Sequence, residues 1–185
     1  MTRFRYLTAL TLVIMFVSGA GAQDRQMQIP GPPLEMQQCS GMVGTWLYTG
    51  EMRMQPTDTA WIEHQATAEF SYVAGGAALQ MRYTGDMMGM EMHGLGMLTY
   101  DREDRQWQET WVDNFGGRTS LYTGTFADGT RVMQGVNKMQ GQTMHTRITT
   151  YDIAETTFKW TMENSMDGKN WFVSMKGSYQ KQPPR

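Results

Sequence analysis

The sequence is poor in cysteine and contains only Cys39 among its 185 residues. A single cysteine cannot form an internal disulfide, and it cannot supply the paired thiolates of a zinc site. The fold must therefore be stabilised by its hydrophobic core, and a chain of this length is long enough to build one. We expect Cys39 to be a small buried residue of that core, which is the ordinary role of a free cysteine.

Clusters of basic residues are also absent, and the formal net charge of the whole chain is −2. Nucleic-acid-binding proteins need a basic patch or stripe that follows the phosphate backbone. The charge distribution therefore argues against nucleic acid as a partner.

Long apolar runs are absent except near the N-terminus, where YLTALTLVIMFV occupies residues 6–17. This run is short for a membrane-spanning helix, which needs about 20 apolar residues. Arg3 and Arg5 precede it, and a small-x-small cleavage site ends at Ala22, as in secretory signal peptides. We predict that residues 1–22 are a signal peptide that is removed, so that the protein is exported to the periplasm or secreted and keeps no membrane anchor.

Proline is confined to the edges of the remaining chain. Three prolines between positions 30 and 33 predict an extended linker over residues 23–39, and two more close the chain. Only Pro56 lies between these groups. We therefore predict one domain over residues 40–182, followed by a tail over residues 183–185.

The motifs of common enzymes are missing as well. The sequence has no G-x-S-x-G, no H-E-x-x-H and no phosphate-binding loop. The three histidines, His64, His93 and His145, are far apart, and a lone histidine on a strand is more often exposed or hydrogen-bonded than a ligand. No reaction is indicated, so we lean against an enzyme and expect no cofactor, with copper and haem as the two groups left open.

Apolar and polar residues alternate with a period of two over most of the domain. WQETWVD places Trp107, Glu109, Trp111 and Asp113 on one face, and similar alternation occurs after Thr157 and Trp171. This period is typical of half-buried strands. It predicts ten strands, near residues 43–52, 59–72, 76–84, 92–100, 105–113, 119–126, 130–137, 145–152, 156–163 and 170–181.

Short turn signals such as ADGT at 127–130 separate these segments. Strands joined in this way form an antiparallel meander, and a long meander closes because closure removes its exposed edges. We therefore predict an all-β, antiparallel, up-and-down barrel of about ten strands, with a two-sheet sandwich as the second choice.

The middle of the chain resembles a known protein family. YTGDMMGMEMHGLGMLTYDREDRQWQETWVD follows the pattern Y-x-G-x-M-x-G-x-x-x-x-G-x-G-x-x-x-Y-D…W-x-D of the domain-of-unknown-function family 1579. The matching residues are Tyr83, Gly85, Met87, Gly89, Gly94, Gly96, Tyr100, Asp101, Trp111 and Asp113. The resemblance extends from about residue 40 to about residue 181, and it implies a calycin-like barrel without an established activity.

The start of the domain also resembles lipocalin-like barrels, whose first strand opens with G-x-W, here Gly44-Thr45-Trp46. In lipocalins an arginine packs on that tryptophan. Lys181 stands where an arginine is common, so we expect Arg147 to pack on Trp46 by cation–π contact instead.

Aromatic residues suggest a function for such a barrel. Six tryptophans and eight tyrosines form more aromatic surface than a core of this size requires. We therefore predict a carrier or sensor that binds a small, mostly apolar molecule inside the barrel. The candidate pocket residues are Trp46, Tyr48, Tyr83, Trp107, Trp111, Tyr122, Trp160, Trp171 and Tyr179.

A charged pair could anchor such a ligand. If the face of Trp107 is the barrel interior, then the carboxylates of Glu109 and Asp113 need partners, and Arg147 and Arg82 are available. The alternative is that these carboxylates lie exposed near the strand end and that Asp113 only stabilises the turn after it.

The segment GDMMGMEMHG supports a second hypothesis. Met88, Met90 and Met92 alternate on one face, and thioethers select Cu(I) and similar soft ions, with His93 as a further ligand. The sequence therefore leaves open a periplasmic Cu(I) or Ag(I) site. Methionine is frequent along the whole chain, however, which favours plain core packing over a metal site, with a flexible pocket wall as a further interpretation.

A third hypothesis assigns no small ligand at all. Small barrels can be filled by their own side chains. Such a barrel would act as a protein-interaction module.

Overall fold

The computed structural model describes residues 30–139 and 141–184. The predicted signal peptide lies outside these residues. All ten predicted strands are confirmed, with boundaries that differ by at most three residues. They are β1 (Gly44–Met52), β2 (Ile62–Val73), β3 (Ala78–Met87), β4 (Met90–Asp101), β5 (Gln106–Asp113), β6 (Ser120–Ala127), β7 (Thr130–Met139), β8 (Gln142–Tyr151), β9 (Thr157–Ser165) and β10 (Phe172–Lys181).

The strands form one closed antiparallel barrel. Each strand pairs with the strands before and after it in sequence, and β1 also pairs with β10, from Trp46 opposite Lys181 to Met52 opposite Met175. The prediction of an up-and-down barrel is therefore confirmed. Closure pairs the two edges that an open sheet would expose.

Two-residue turns set the register of two hairpins. Met88 and Gly89 connect β3 to β4, and Asp128 and Gly129 connect β6 to β7. All four residues have positive φ angles, between 51° and 80°. This backbone matches the twist of the flanking strands, which is why Asp-Gly predicts a hairpin. The turn at Met88 places a large side chain where glycine, asparagine or aspartate is usual.

The barrel has two distinct ends. The end at which β1 begins and β10 finishes carries a 3₁₀ helix, Leu34–Met42, and we call it the helix end. The opposite end carries the turn of Met88 and Gly89, and we call it the hairpin end. Among the described residues, no helix is long and apolar enough to cross a membrane.

The 3₁₀ helix corrects the prediction of an extended linker. Residues 34–39 are helical rather than extended, and Met36, Cys39 and Met42 are each at most 2% exposed. The Trp46 indole N–H donates a hydrogen bond to the Met42 carbonyl, at 2.7 Å. The helix therefore packs its buried residues into the barrel core at this end, and the expectation that Cys39 is buried is confirmed. Burial raises the pKa of its thiol to about 11.

Alternate residues of every strand face the interior, as the period of two requires. Interior glycines make room for large rings. The ring of Tyr48 lies against Gly50 and Gly177, where a Cβ would stand 2.5 Å and 2.6 Å from the ring. The Tyr48 ring therefore occupies space that a side chain at either position would fill.

Candidate ligand-binding site

A cavity of about 110 Å³ lies inside the barrel toward the hairpin end. The interior is therefore not completely filled by side chains. Its wall is formed by Tyr48, Met81, Tyr83, Met87, Met92, Glu109, Trp111, Tyr122, Ile148, Trp160, Met162, Met175 and Tyr179.

Five methionines form most of the aliphatic part of this wall. Met162 on β9 and Met175 on β10 are directly opposite each other in the sheet. Met87 and Met92 come from β3 and β4, on either side of the hairpin turn. Methionine is unbranched and polarisable, so such a wall can adjust to the shape of a bound molecule.

Six aromatic rings also form the wall, together with Ile148 and Glu109, and several of these rings pack on one another. The Tyr48 ring packs against Tyr179, with centroids 4.9 Å apart, and edge-on against Trp160 at 6.2 Å. Trp111 packs edge-on against Tyr83 at 5.8 Å. Edge-to-face packing of this kind is favourable, because the ring edge is positive and the ring face negative.

Most polar groups on the aromatic wall already have partners in the protein. The Trp111 indole N–H donates to the Asp113 carboxylate at 2.8 Å. The Tyr48 hydroxyl lies 3.4 Å from the Lys176 carbonyl, and the Tyr122 hydroxyl accepts from the Asn137 amide at 3.2 Å. These hydrogen bonds help to orient the rings.

Burial raises the pKa values of four wall tyrosines above their ordinary value. Desolvation is the largest cause for Tyr48, Tyr83, Tyr122 and Tyr179. Neighbouring groups add to the effect, since Tyr179 also faces Tyr83, Tyr48 and Glu109. All four are therefore neutral phenols at neutral pH.

A buried ion pair lies between the larger cavity and a smaller one of about 30 Å³ near the helix end. Glu109 contributes to the walls of both cavities, and Arg131 only to the wall of the smaller one. Arg131 Nη2 lies 3.5 Å from Glu109 Oε2, and the two side chains are 8% and 13% exposed. Arg131 also donates to the Thr150 hydroxyl at 3.2 Å.

This pair is incompletely hydrogen-bonded. Glu109 Oε2 and Arg131 Nε are buried, and neither has a hydrogen-bond partner among the described residues. Buried polar atoms are nearly always paired, so each exception requires an explanation.

His64 lies beside the cavity wall and is 2% exposed. Its Nε2 is hydrogen-bonded to the Tyr83 hydroxyl, and its ring stacks on the Tyr83 ring with centroids 6.0 Å apart. Burial is the largest cause that lowers the pKa of His64 below 6.5, opposed by the neighbouring Asp86. The imidazole is therefore neutral at neutral pH.

The structure divides the predicted pocket residues into three groups. Seven lie on the cavity wall: Tyr48, Tyr83, Glu109, Trp111, Tyr122, Trp160 and Tyr179. Trp46 and Trp107 are buried in the core, at 0% and 3% exposed, without lining the cavity. Arg147 and Trp171 pack on each other, with the guanidinium 4.5 Å from the ring centroid.

The predicted contact between Arg147 and Trp46 is wrong. Arg147 forms a bidentate ion pair with Glu163, its neighbour on β9, at 2.7 and 2.9 Å. Lys181 packs on Trp46 instead, with Nζ 5.3 Å from the ring centroid. Arg147 alternates with the inward-facing Ile148, so its side chain is directed to the outer surface.

The partner of Glu109 also differs from expectation. Neither proposed arginine contacts it: Arg147 pairs with Glu163, and Arg82 is exposed and donates to Gln80 at 3.1 Å. Arg131 is the partner. Asp113 stabilises the turn that follows β5, as the alternative interpretation predicted. Its carboxylate accepts hydrogen bonds from the backbone N–H groups of residues 115 and 116.

The proposed metal ligands do not form one set. Met88 lies in the hairpin turn and is 58% exposed, and Met90 is 53% exposed at the start of β4. Met92 is buried in the cavity wall. His93 faces the opposite side of the strand, where Nε2 lies 3.4 Å from the Glu91 carboxylate.

Several site residues were not identified from the sequence. Met81 and Met87 alternate with Tyr83 on β3, so the period of two could have placed them on its face. Arg131 carried no such signal, since an arginine after a hairpin turn usually faces solvent. The remaining omitted wall residues are Ile148, Met162 and Met175.

Comparison with known proteins agrees with the family resemblance. The chain matches the model of a protein family of unknown function, DUF1579, over residues 32–181. The chain therefore belongs to this family. None of the curated proteins matches the sequence.

Two solved structures have a similar fold. The crystal structure of Rv2717c from M. tuberculosis is 13% identical with a TM-score of 0.61, over 82% of this chain and 99% of that one. The S-type phycobiliprotein lyase CPES from Guillardia theta is 10% identical with a TM-score of 0.53, over 83% of this chain and 100% of that one. At these identities the similarity establishes the barrel fold alone.

Proposed function

We propose that this member of the DUF1579 family binds a small, mostly apolar molecule inside its barrel and acts as a carrier or sensor. The observation that carries the proposal is the cavity of about 110 Å³, lined by five methionines and six aromatic rings. Ligand pockets are typically apolar, with few polar groups placed among apolar side chains.

The cavity size limits the ligand. An engineered apolar cavity of ~150 Å³ binds benzene, so the present cavity suits a molecule of about one ring. A somewhat larger molecule requires movement of the methionine side chains, which cost little to rearrange because they are unbranched.

We also propose that the protein works outside the cytoplasm, as the signal-peptide pattern of residues 1–22 indicates. Expression of the full chain in a bacterial host tests this. The exported protein should begin at Gln23, as read from its intact mass. Retention of residues 1–22 in the mature protein would contradict the proposal.

Methyl NMR of the protein labelled at its methionine methyl groups tests ligand binding directly. Addition of toluene should shift the methyl signals of the cavity methionines Met81, Met87, Met92, Met162 and Met175. Exposed methionines such as Met54 and Met166 serve as internal controls and should not respond. Absence of any shift at the cavity methionines up to the solubility limit of toluene would overturn the proposal.

A pair of variants separates cavity binding from surface binding. Ile148→Phe enlarges a residue of the cavity wall, and Val136→Phe makes the same kind of change on the outer face of β7, where Val136 is 61% exposed. Toluene affinity should fall at least tenfold in the first variant and stay unchanged in the second. Equal affinities in the two variants would place toluene outside the cavity.

Binding of a soft metal ion is a second candidate function, because the five cavity methionines direct thioether side chains to one space. Titration of the same labelled protein with Ag(I) tests for this metal binding. Shifts at the cavity methionines that are lost in Met92→Leu would support a metal site. Shifts confined to Met88 and Met90 would exclude it, since those residues are exposed.

A further inference from the structure

The hydrogen-bonding state of Glu109 restricts the chemistry of the ligand. Its Oε2 atom is buried, has no hydrogen-bond partner among the described residues, and belongs to a side chain on the wall of the larger cavity. Arg131 lies 3.5 Å away on the side of the smaller cavity, with its hydrogen bond donated to Thr150. The unpaired Oε2 is thus the oxygen nearest Arg131, and the carboxylate, which lines the larger cavity, still has an unfilled acceptor position.

Four of the six other polar groups of the wall are already bonded to protein partners. Those of Tyr48, Tyr83, Trp111 and Tyr122 have partners within the protein. Glu109 is therefore the polar group of the wall with an unsatisfied buried atom.

We infer that the ligand carries a single O–H or N–H donor that hydrogen-bonds to the Glu109 carboxylate, as in a phenol or an aromatic amine. This inference rests on the proposed function and defines the ligand class for the same site. An ionised carboxylate only accepts hydrogen bonds, so the ligand must supply the donor.

The same arrangement discriminates against other ligands. A molecule of the same shape without a donor would leave the buried acceptor unpaired, and sites of this kind reject such analogues strongly. An anionic ligand such as a carboxylic acid would place a second negative charge beside Glu109. Because Arg131 already balances the charge of Glu109, a neutral donor fits better than a cation.

The test compares phenol, toluene and anisole on the full-length protein, by calorimetry and by the methionine methyl signals. Toluene has the shape of phenol without the donor, and anisole keeps the oxygen but lacks the O–H group. Phenol should bind at least tenfold more tightly than either. The double variant E109M/R131M replaces the whole ion pair with apolar side chains, and there toluene should bind more tightly than phenol.

The outcomes separate this inference from the proposed function. Equal or tighter binding of toluene to the natural protein would overturn the inference while the proposed function stands, and a buried water would then be the partner of Glu109. Failure of all three compounds to move the cavity methyl signals would overturn the proposed function itself. If the double variant does not fold, the comparison of phenol with toluene and anisole on the natural protein still tests whether the ligand needs a hydrogen-bond donor.

Discussion

The indole ring of Trp111 lies directly against Gly94 on the adjacent strand, so close that a Cβ at Gly94 would stand 2.1 Å from ring atom Cη2. Gly96, two residues along the same face, is less restricted, with its nearest side-chain atom at 3.4 Å. The absence of a side chain at Gly94 therefore fixes where Trp111 can lie on the cavity wall.

We predict that Gly94→Ala destabilises the protein by ~1–3 kcal/mol, because Trp111 must be displaced from a packed position. Gly96→Ala is the matched control and should change the free energy of unfolding by less than about 0.5 kcal/mol, as is usual at sites without such a conflict. Urea denaturation measures both. Equal losses for the two variants would show that Trp111 does not depend on Gly94.

The ion pair between Glu109 and Arg131 should behave as a unit. Arg131→Met leaves a buried carboxylate without its partner and should cost ~3–5 kcal/mol of unfolding free energy. The double variant E109M/R131M should recover most of that loss, because replacement of a whole buried pair by apolar residues is often neutral. A double variant as unstable as Arg131→Met would contradict the prediction. Urea denaturation gives the unfolding free energies, which are comparable when the variants have equal m-values.

Stability should fall with acidification because of His64. Its pKa in the folded protein lies below 6.5, so the unfolded chain takes up the proton first as the pH decreases. This contribution to stability is complete at neutral pH and is lost below about pH 6.5, with a slope of at most ~1.4 kcal/mol per pH unit.

Thermal unfolding measured between about pH 7.5 and about pH 5.5 tests this window, which is where histidines titrate. His64→Gln should flatten the dependence. His93→Gln should leave it unchanged, because the His93 side chain is 57% exposed. An unaltered slope in His64→Gln would assign the effect to other groups.

Lys181 should contribute to the helix end of the barrel. Its Nζ lies over the Trp46 ring and donates to the Gly41 carbonyl at 3.1 Å. Lys181→Ala should lower the unfolding free energy by about 1 kcal/mol through loss of the cation–π contact and this hydrogen bond. Lys138→Ala, at an exposed position on β7, should have no measurable effect. Equal effects of the two substitutions would show that Lys181 acts only through its charge.

Much of the candidate site could be predicted because strands have a strict period. Trp111 and Glu109 alternate on β5, and Tyr48 follows Trp46 on β1, so their shared faces were readable from the sequence. The methionines were harder to assign. Because methionine is frequent along the whole chain, its presence alone does not identify the residues that face the cavity. Met88 departs from the expected alternation because it lies in the turn.

The errors concern partners that are distant in the sequence. Arg147 and Arg131 are each preceded by a threonine and followed by an apolar residue, and nothing local shows that the first faces outward and the second inward. Glu109 on β5 and Arg131 on β7 are separated by a complete strand, so only the curvature of the closed sheet brings them together.

The sequence by itself determined the family, the ten strands and the closure of the barrel, because hydrophobic period, turn residues and the family pattern are local properties of the chain. The tertiary structure decided which side chains share the interior. It placed Lys181 rather than Arg147 on Trp46, and it set the Glu109 carboxylate at the cavity with Arg131 behind it. These relationships depend on strand register and on contacts across the barrel, which no local pattern encodes.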